Sequence, residues 1–102
     1  MDRPRSGAHR IWSENRKHWG WNGRPRHWGG YHFPNGHHYR RWRIGQILPL
    51  IFLEQEYVFD DYTDLGFDDP PPGYEWVRYG PDLLLVDLDT GEVVDVEYGV
   101  FD

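Results

Sequence analysis

From Ile44 onward, apolar side chains return in short runs that turn residues interrupt. Tyr57 to Asp60, Tyr74 to Tyr79, Leu83 to Leu88 and Val93 to Tyr98 each read as a strand bounded by Gly, Pro or Asp. Gly45, Gln46, Leu48 and Pro49 suggest an opening turn. Between the first two strands, Asp61 is placed to cap a single helical turn near Tyr62 to Leu65, which Gly66 would end. Pro70, Pro71 and Pro72 then enforce an extended connection, since proline fixes its own φ and restricts the residue before it. The expected fold is mainly β, a small α+β unit: a short antiparallel meander of three or four strands with one helical turn.

Parity sets the last hairpin, because a slip of one residue sends every side chain to the other face. A loop of Asp89, Thr90 and Gly91, with Gly91 left-handed, pairs Val86 with Val94 and Leu84 with Val96. The shorter loop Thr90 and Gly91 would set Val86 against Asp95 and Leu84 against Glu97. The expectation is therefore one apolar face of Leu84, Val86, Leu88, Val94, Val96 and Tyr98. The other face, with Leu83, Leu85, Asp87, Val93, Asp95 and Glu97, reads as half wet. Tyr57, Phe59, Tyr62, Phe67, Tyr74 and Trp76, with Ile51 and Phe52, are expected to cover the apolar face. So small a sheet is near the lower limit for an independent core, which weak self-association would relieve.

Residues 1–43 follow a different pattern. Met1, Ala8 and Ile11 are their only aliphatic side chains, and Gly, Pro, Arg, His and Trp fill most of the rest. A segment of this kind is expected to stay a disordered arm, because burial cannot offset its ordering entropy. A loose nine-residue echo aligns His9, His18 and His27 near Trp12, Trp19 and Trp28 and reads as compositional bias. The expected division is an arm over 1–43 and a domain over 44–102 that folds without it.

Charge sharpens that division. The arm holds ten of the eleven Lys and Arg against Asp2 and Glu14, about +8, while 44–102 set Arg78 against fifteen carboxylates, about -14; together they return the net -6. The chain has no cysteine, which excludes disulfides, thiolate metal sites and cysteine nucleophiles. Its longest apolar run, Ile47 to Leu53, is broken by Pro49 and far shorter than the roughly 20 residues of a membrane span. No charged region leads into an apolar stretch at the start, so the first residues do not read as a signal peptide.

Gly45, Gln46, Leu48 and Pro49, then Tyr57, Asp61, Tyr62, Leu65, Gly66 and Phe67, then Pro70, Pro71, Gly73, Tyr74, Trp76 and Val77 form a pattern that resembles the RcnB family. The likeness continues through Gly80, Asp82, Leu84, Leu85, Val86, Thr90 and Gly91 and covers about 44–97. Many members also carry a stretch rich in His, Arg, Gly and aromatics before the domain. The resemblance implies a periplasmic protein of nickel and cobalt homeostasis, acting through an envelope protein partner without catalysis. It supplies no ligand set.

Three function classes compete on the residues themselves. Metal binding would use His27, His32, His37 and His38, since neutral imidazole suits nickel, cobalt, copper and zinc. Their spacing matches no closed structural site, so weak, exchangeable binding without an obligatory cofactor is expected. Binding to an anionic surface or nucleic acid would use Arg24, Arg26, Arg40, Arg41 and Arg43 among stacking aromatics. The attached acidic domain argues against nucleic acid and for contact between the arm and its own domain. Enzymatic activity is not expected, because 44–102 contain no histidine to activate a hydroxyl. Asp60, Asp61, Asp64, Asp68 and Asp69 lack the order of an EF-hand loop.

Overall fold

The computed structural model describes Trp21 and residues 23–102, so Trp12, Trp19, His9 and His18 of the nine-residue echo lie outside the described residues. One antiparallel sheet carries strands β1 (Tyr74–Tyr79), β2 (Asp82–Asp87) and β3 (Val93–Glu97) in chain order. Gly80 and Pro81 turn β1 into β2, with Tyr79 opposite Asp82. Gly80 has φ +58°, and the proline after it holds a negative φ. That combination matches a type II′ turn, whose twist suits a hairpin. The helical turn is a 3-10 turn, Asp61–Leu65, closed by Gly66 at φ +94°. A second 3-10 turn, Leu50–Leu53, follows Pro49.

The strand expected at Tyr57 to Asp60 contracts to a bridge between Val58 and Val77. The Phe59 N–H donates to the Trp76 carbonyl at 2.8 Å and the Arg78 N–H to the Tyr57 carbonyl at 2.9 Å. On the far side of the sheet, the Gly45 N–H donates to the Val93 carbonyl at 2.7 Å and the Val93 N–H to the Gln46 carbonyl at 2.8 Å. Part of each sheet edge is thereby covered by the chain's own backbone, which withholds those groups from pairing with another sheet.

The last hairpin corrects the expected register. Leu84 opposes Val96 as expected, yet Val86 opposes Val93 rather than Val94. The loop runs from Leu88 to Gly91, closed by Asp87 N–H to the Glu92 carbonyl at 2.9 Å and Gly91 N–H to the Asp87 carbonyl at 2.7 Å. This longer loop shifts the pairing by one residue, and a bulge at Val94 restores it from Asp95 onward. Gly91 does sit left-handed, at φ +81°. It is also wedged in: a Cβ there would lie 2.8 Å from the Leu48 carbonyl oxygen.

The shifted pairing exchanges the expected faces of Val93 and Val94, the bulge keeps Val96 on the same face as Val93, and neither face of the sheet is wet. Val77, Tyr79, Leu84, Val86, Val93 and Val96 form one core beneath Trp42, Leu48, Phe52 and Tyr57. Tyr74, Trp76, Leu83, Leu85 and Val94 form the other beneath Phe59, Leu65, Phe67, Val100 and Phe101. The expected aromatic cover is thus divided between two faces, Ile51 and Leu88 are exposed, and Asp87 and Asp95 are buried. The two carboxylates accept backbone N–H groups, Asp87 from Asp89 at 2.8 Å and Asp95 from Val96 at 2.9 Å.

Much of the cover comes from residues before Ile44. The Arg26 N–H donates to the Val100 carbonyl at 2.8 Å, and the Asp102 N–H to the Arg26 carbonyl at 3.0 Å. Trp28 packs edge-on against Phe59 at 5.2 Å and Phe101 at 6.4 Å, on the second core. Tyr31 and Phe33 pack on the first core, and Trp42 is buried within it. The segment therefore passes from one face of the sheet to the other across Gly29 and Gly30.

Candidate functional site

The four candidate histidines are spread along this covering segment. His27 is exposed, with Nδ1 3.6 Å from an Asp102 carboxylate oxygen. His32 and His38 are exposed, and the core uses their carbonyls: the Tyr57 hydroxyl donates to His32 at 3.2 Å and the Tyr79 hydroxyl to His38 at 2.7 Å. His37 is half-buried, its ring edge-on to Phe52 at 5.1 Å. Among the described residues, no three His, Asp or Glu side chains converge on a point that could hold a metal ion. The carboxylates from Asp60 to Asp69 are included in that statement.

The candidate arginines divide differently. Arg24 and Arg26 are exposed near the start of the described segment, the latter anchored through its backbone. The guanidinium carbons of Arg40 and Arg41 lie over aromatic rings, 4.1 Å from the Trp42 centroid and 3.7 Å from the Tyr98 centroid. The Tyr98 hydroxyl donates to the Trp42 carbonyl, which ties both platforms together. Arg43 is held through its backbone N–H, which donates to Gln46 Oε1 at 2.9 Å. A guanidinium held over a ring keeps its N–H donors around the rim, so this edge offers planar anion recognition with little side-chain freedom left to lose.

The structure adds a site that the sequence reading leaves out. Arg78, the lone cation of 44–102, lies at the β1–β2 turn between the rings of Phe101, 4.4 Å from its guanidinium carbon, and Tyr31, at 5.5 Å. Its Nε donates to the Gly80 carbonyl at 3.3 Å and one Nη to the Gly29 carbonyl at 3.1 Å. Burial lowers its pKa from the ordinary arginine range. The Tyr31 hydroxyl is buried beside the Gly80 backbone, and desolvation raises its pKa well above that of an exposed tyrosine. Arg78 and Tyr31 line two clefts. One, of about 450 Å³, is walled by Gly29, Gly30, Phe33, Gly80 and Phe101; the other, of about 250 Å³, carries Glu56, Asp60 and Asp61.

Beside that turn, buried Asp82 joins three parts of the chain. It accepts the Tyr39 hydroxyl at 2.6 Å and the Gly99 N–H at 3.0 Å. Desolvation first, and then the bond to Asp82, push the Tyr39 pKa up to about 12. A signal for these residues did exist in the sequence. Arg78 shares the side-chain parity of Tyr74 and Trp76, so a cation is placed on a face otherwise made of large rings.

Comparison with a family model bears on the domain rather than on this covering segment. The family model RcnB, nickel/cobalt transporter regulator, matches residues 45–95, half of the chain. A solved structure is 24% identical, covering 57% of this chain and 70% of its own, with a TM-score of 0.52. That likeness concerns the fold alone. No curated protein matches the chain.

Proposed function

The chain belongs to the RcnB family, and on that premise we propose that it regulates nickel and cobalt transport without catalysis, by docking an acidic segment of an envelope partner on its Arg40, Arg41 and Arg43 edge. The observation that carries this reading is the placement of the Arg40 and Arg41 guanidinium groups over the rings of Trp42 and Tyr98. Two guanidinium groups already held in place bind carboxylates at a lower entropic cost than free side chains do. A periplasmic location belongs to the same proposal and rests on the family. Direct metal contact is its lesser part: no three of His27, His32, His37 and His38 form a cluster among the described residues, so weak, exchangeable nickel, cobalt, copper or zinc binding is the metal chemistry they offer.

The test replaces the native gene with one of two variants and measures cellular nickel and cobalt by elemental analysis. Arg40, Arg41 and Arg43 all changed to Gln should reproduce the gene deletion, while His27, His32, His37 and His38 all changed to Ala should match the wild type. Amide spectra of both purified variants establish that they fold. The reverse pattern overturns the docking reading and moves the function to the imidazoles.

A further inference from the structure

The Arg78 cleft is built as a binding site, and neither the fold nor the family assigns it a ligand. A guanidinium has five N–H donors, and here two are used, on Gly80 and Gly29. The remaining three have no carboxylate within ion-pair distance among the described residues, in a domain dominated by acid. A half-buried cation in such surroundings would ordinarily be paired, because desolvation is repaid by an opposite charge.

The walls say what else the ligand carries. Phe33 and Phe101 supply apolar surface, and Gly29 and Gly30 leave the approach open, since a Cβ at either would meet nothing within 4 Å. The cleft on the other side of Arg78 is lined by Glu56, Asp60 and Asp61 and repels an anion. Asp102 stands at the rim of the larger cleft, but its carboxylate is turned to His27 and both side chains are well exposed, so solvent screens its repulsion.

We propose that this larger cleft binds a carboxylate carried on an apolar or aromatic body, with the carboxylate on Arg78 and the body against Phe33 and Phe101. Two sources share that chemistry: a free organic acid and the C-terminal residue of a peptide. The site is separate from the Arg40 to Arg43 edge, so either can fail alone.

The test is a titration of the full chain with phenylacetate, N-acetyl-phenylalanine and the uncharged isostere phenylacetamide, following the amide resonances of Gly29, Gly30 and Gly80. Phenylacetate or N-acetyl-phenylalanine should saturate these shifts, and phenylacetamide should bind at least tenfold more weakly. A preference for N-acetyl-phenylalanine over phenylacetate identifies a peptide terminus, and the opposite preference a free acid. Arg78→Gln should lose the charge discrimination. Equal affinity for acid and amide in the wild-type protein overturns the proposal whatever the variants do. So does the absence of shifts with either acid up to its solubility limit.

Discussion

The two faces of the sheet are equally dry but are closed by different means. One face is covered largely from nearby sequence: Leu48, Phe52 and Tyr57 come from the stretch just before β1, and Trp42 joins them. The other is closed from both directions along the chain, by Phe59, Leu65 and Phe67 on one side and Val100 and Phe101 on the other, with Trp21 and Trp28 packed at its margin. Both faces show how a segment almost without aliphatic residues can still take part in a fold, through Trp42, Tyr31 and Phe33 on the first and Trp21 and Trp28 on the second, because a few large rings bury as much surface as many smaller side chains. The arginines follow the same rule, each placing its guanidinium group over a ring that is itself packed on the sheet.

The sharpest break of this comparison is a pair of truncations on β2. Leu84 points into the first core and Leu85 into the second, and both are fully buried. Leu84→Ala and Leu85→Ala should each cost about 2–5 kcal/mol by denaturant unfolding. A markedly smaller loss for Leu85→Ala would return its face to the half-wet state expected from the alternation.

Removing the covering segment comes next. A fragment of 44–102 is expected to keep a dispersed amide spectrum but to unfold more easily than the full chain, by about 3–5 kcal/mol for the lost Trp42 burial. Collapse of the spectrum would make the residues before Ile44 indispensable to folding and not only to stability. Unchanged stability would mean that Trp42 contributes nothing to the first face.

The smallest effect is a pH dependence that reads the tyrosines along this cover. Burial raises the pKa of Tyr31, Tyr39, Tyr57 and Tyr62. A tyrosine freed by unfolding ionises near 10, whereas in the folded chain Tyr39 keeps its proton to about 12. Unfolding therefore releases protons above pH about 10, so stability is fully present below that pH and falls as pH rises towards about 12. Phenolate absorbance with parallel unfolding curves checks this. Asp82→Asn should lower the Tyr39 midpoint, since the Asp82 carboxylate is the acceptor that retains the proton.

Much of this could be read directly from residues. The three strands, the turn closed by Gly66 and the left-handed Gly91 follow from local chemistry, because φ preference and side-chain alternation act within a few residues. The dryness of both faces was also written there, in Leu83 to Val86 and in adjacent Val93 and Val94, which do not alternate as a one-faced strand would. Parity alone passed over that run. The bulge at Val94 was decided elsewhere, since it compensates a longer loop whose closure depends on Gly91 fitting against the Leu48 backbone.

Composition by itself determined that residues before Ile44 carry rings, imidazoles and guanidinium groups rather than an aliphatic core. Only the tertiary structure decided what those groups meet. It gathers no three of the histidines into one cluster among the described residues, spends the His32 and His38 carbonyls on Tyr57 and Tyr79, lays Arg40 and Arg41 on rings, and leads Gly29 to Arg78. The partners in these contacts are separated by up to 57 residues, as between Arg41 and Tyr98, and no pattern within either segment encodes the other. Local chemistry names the groups, but long-range packing selects their neighbours, because burial depends on which surfaces the whole chain brings together.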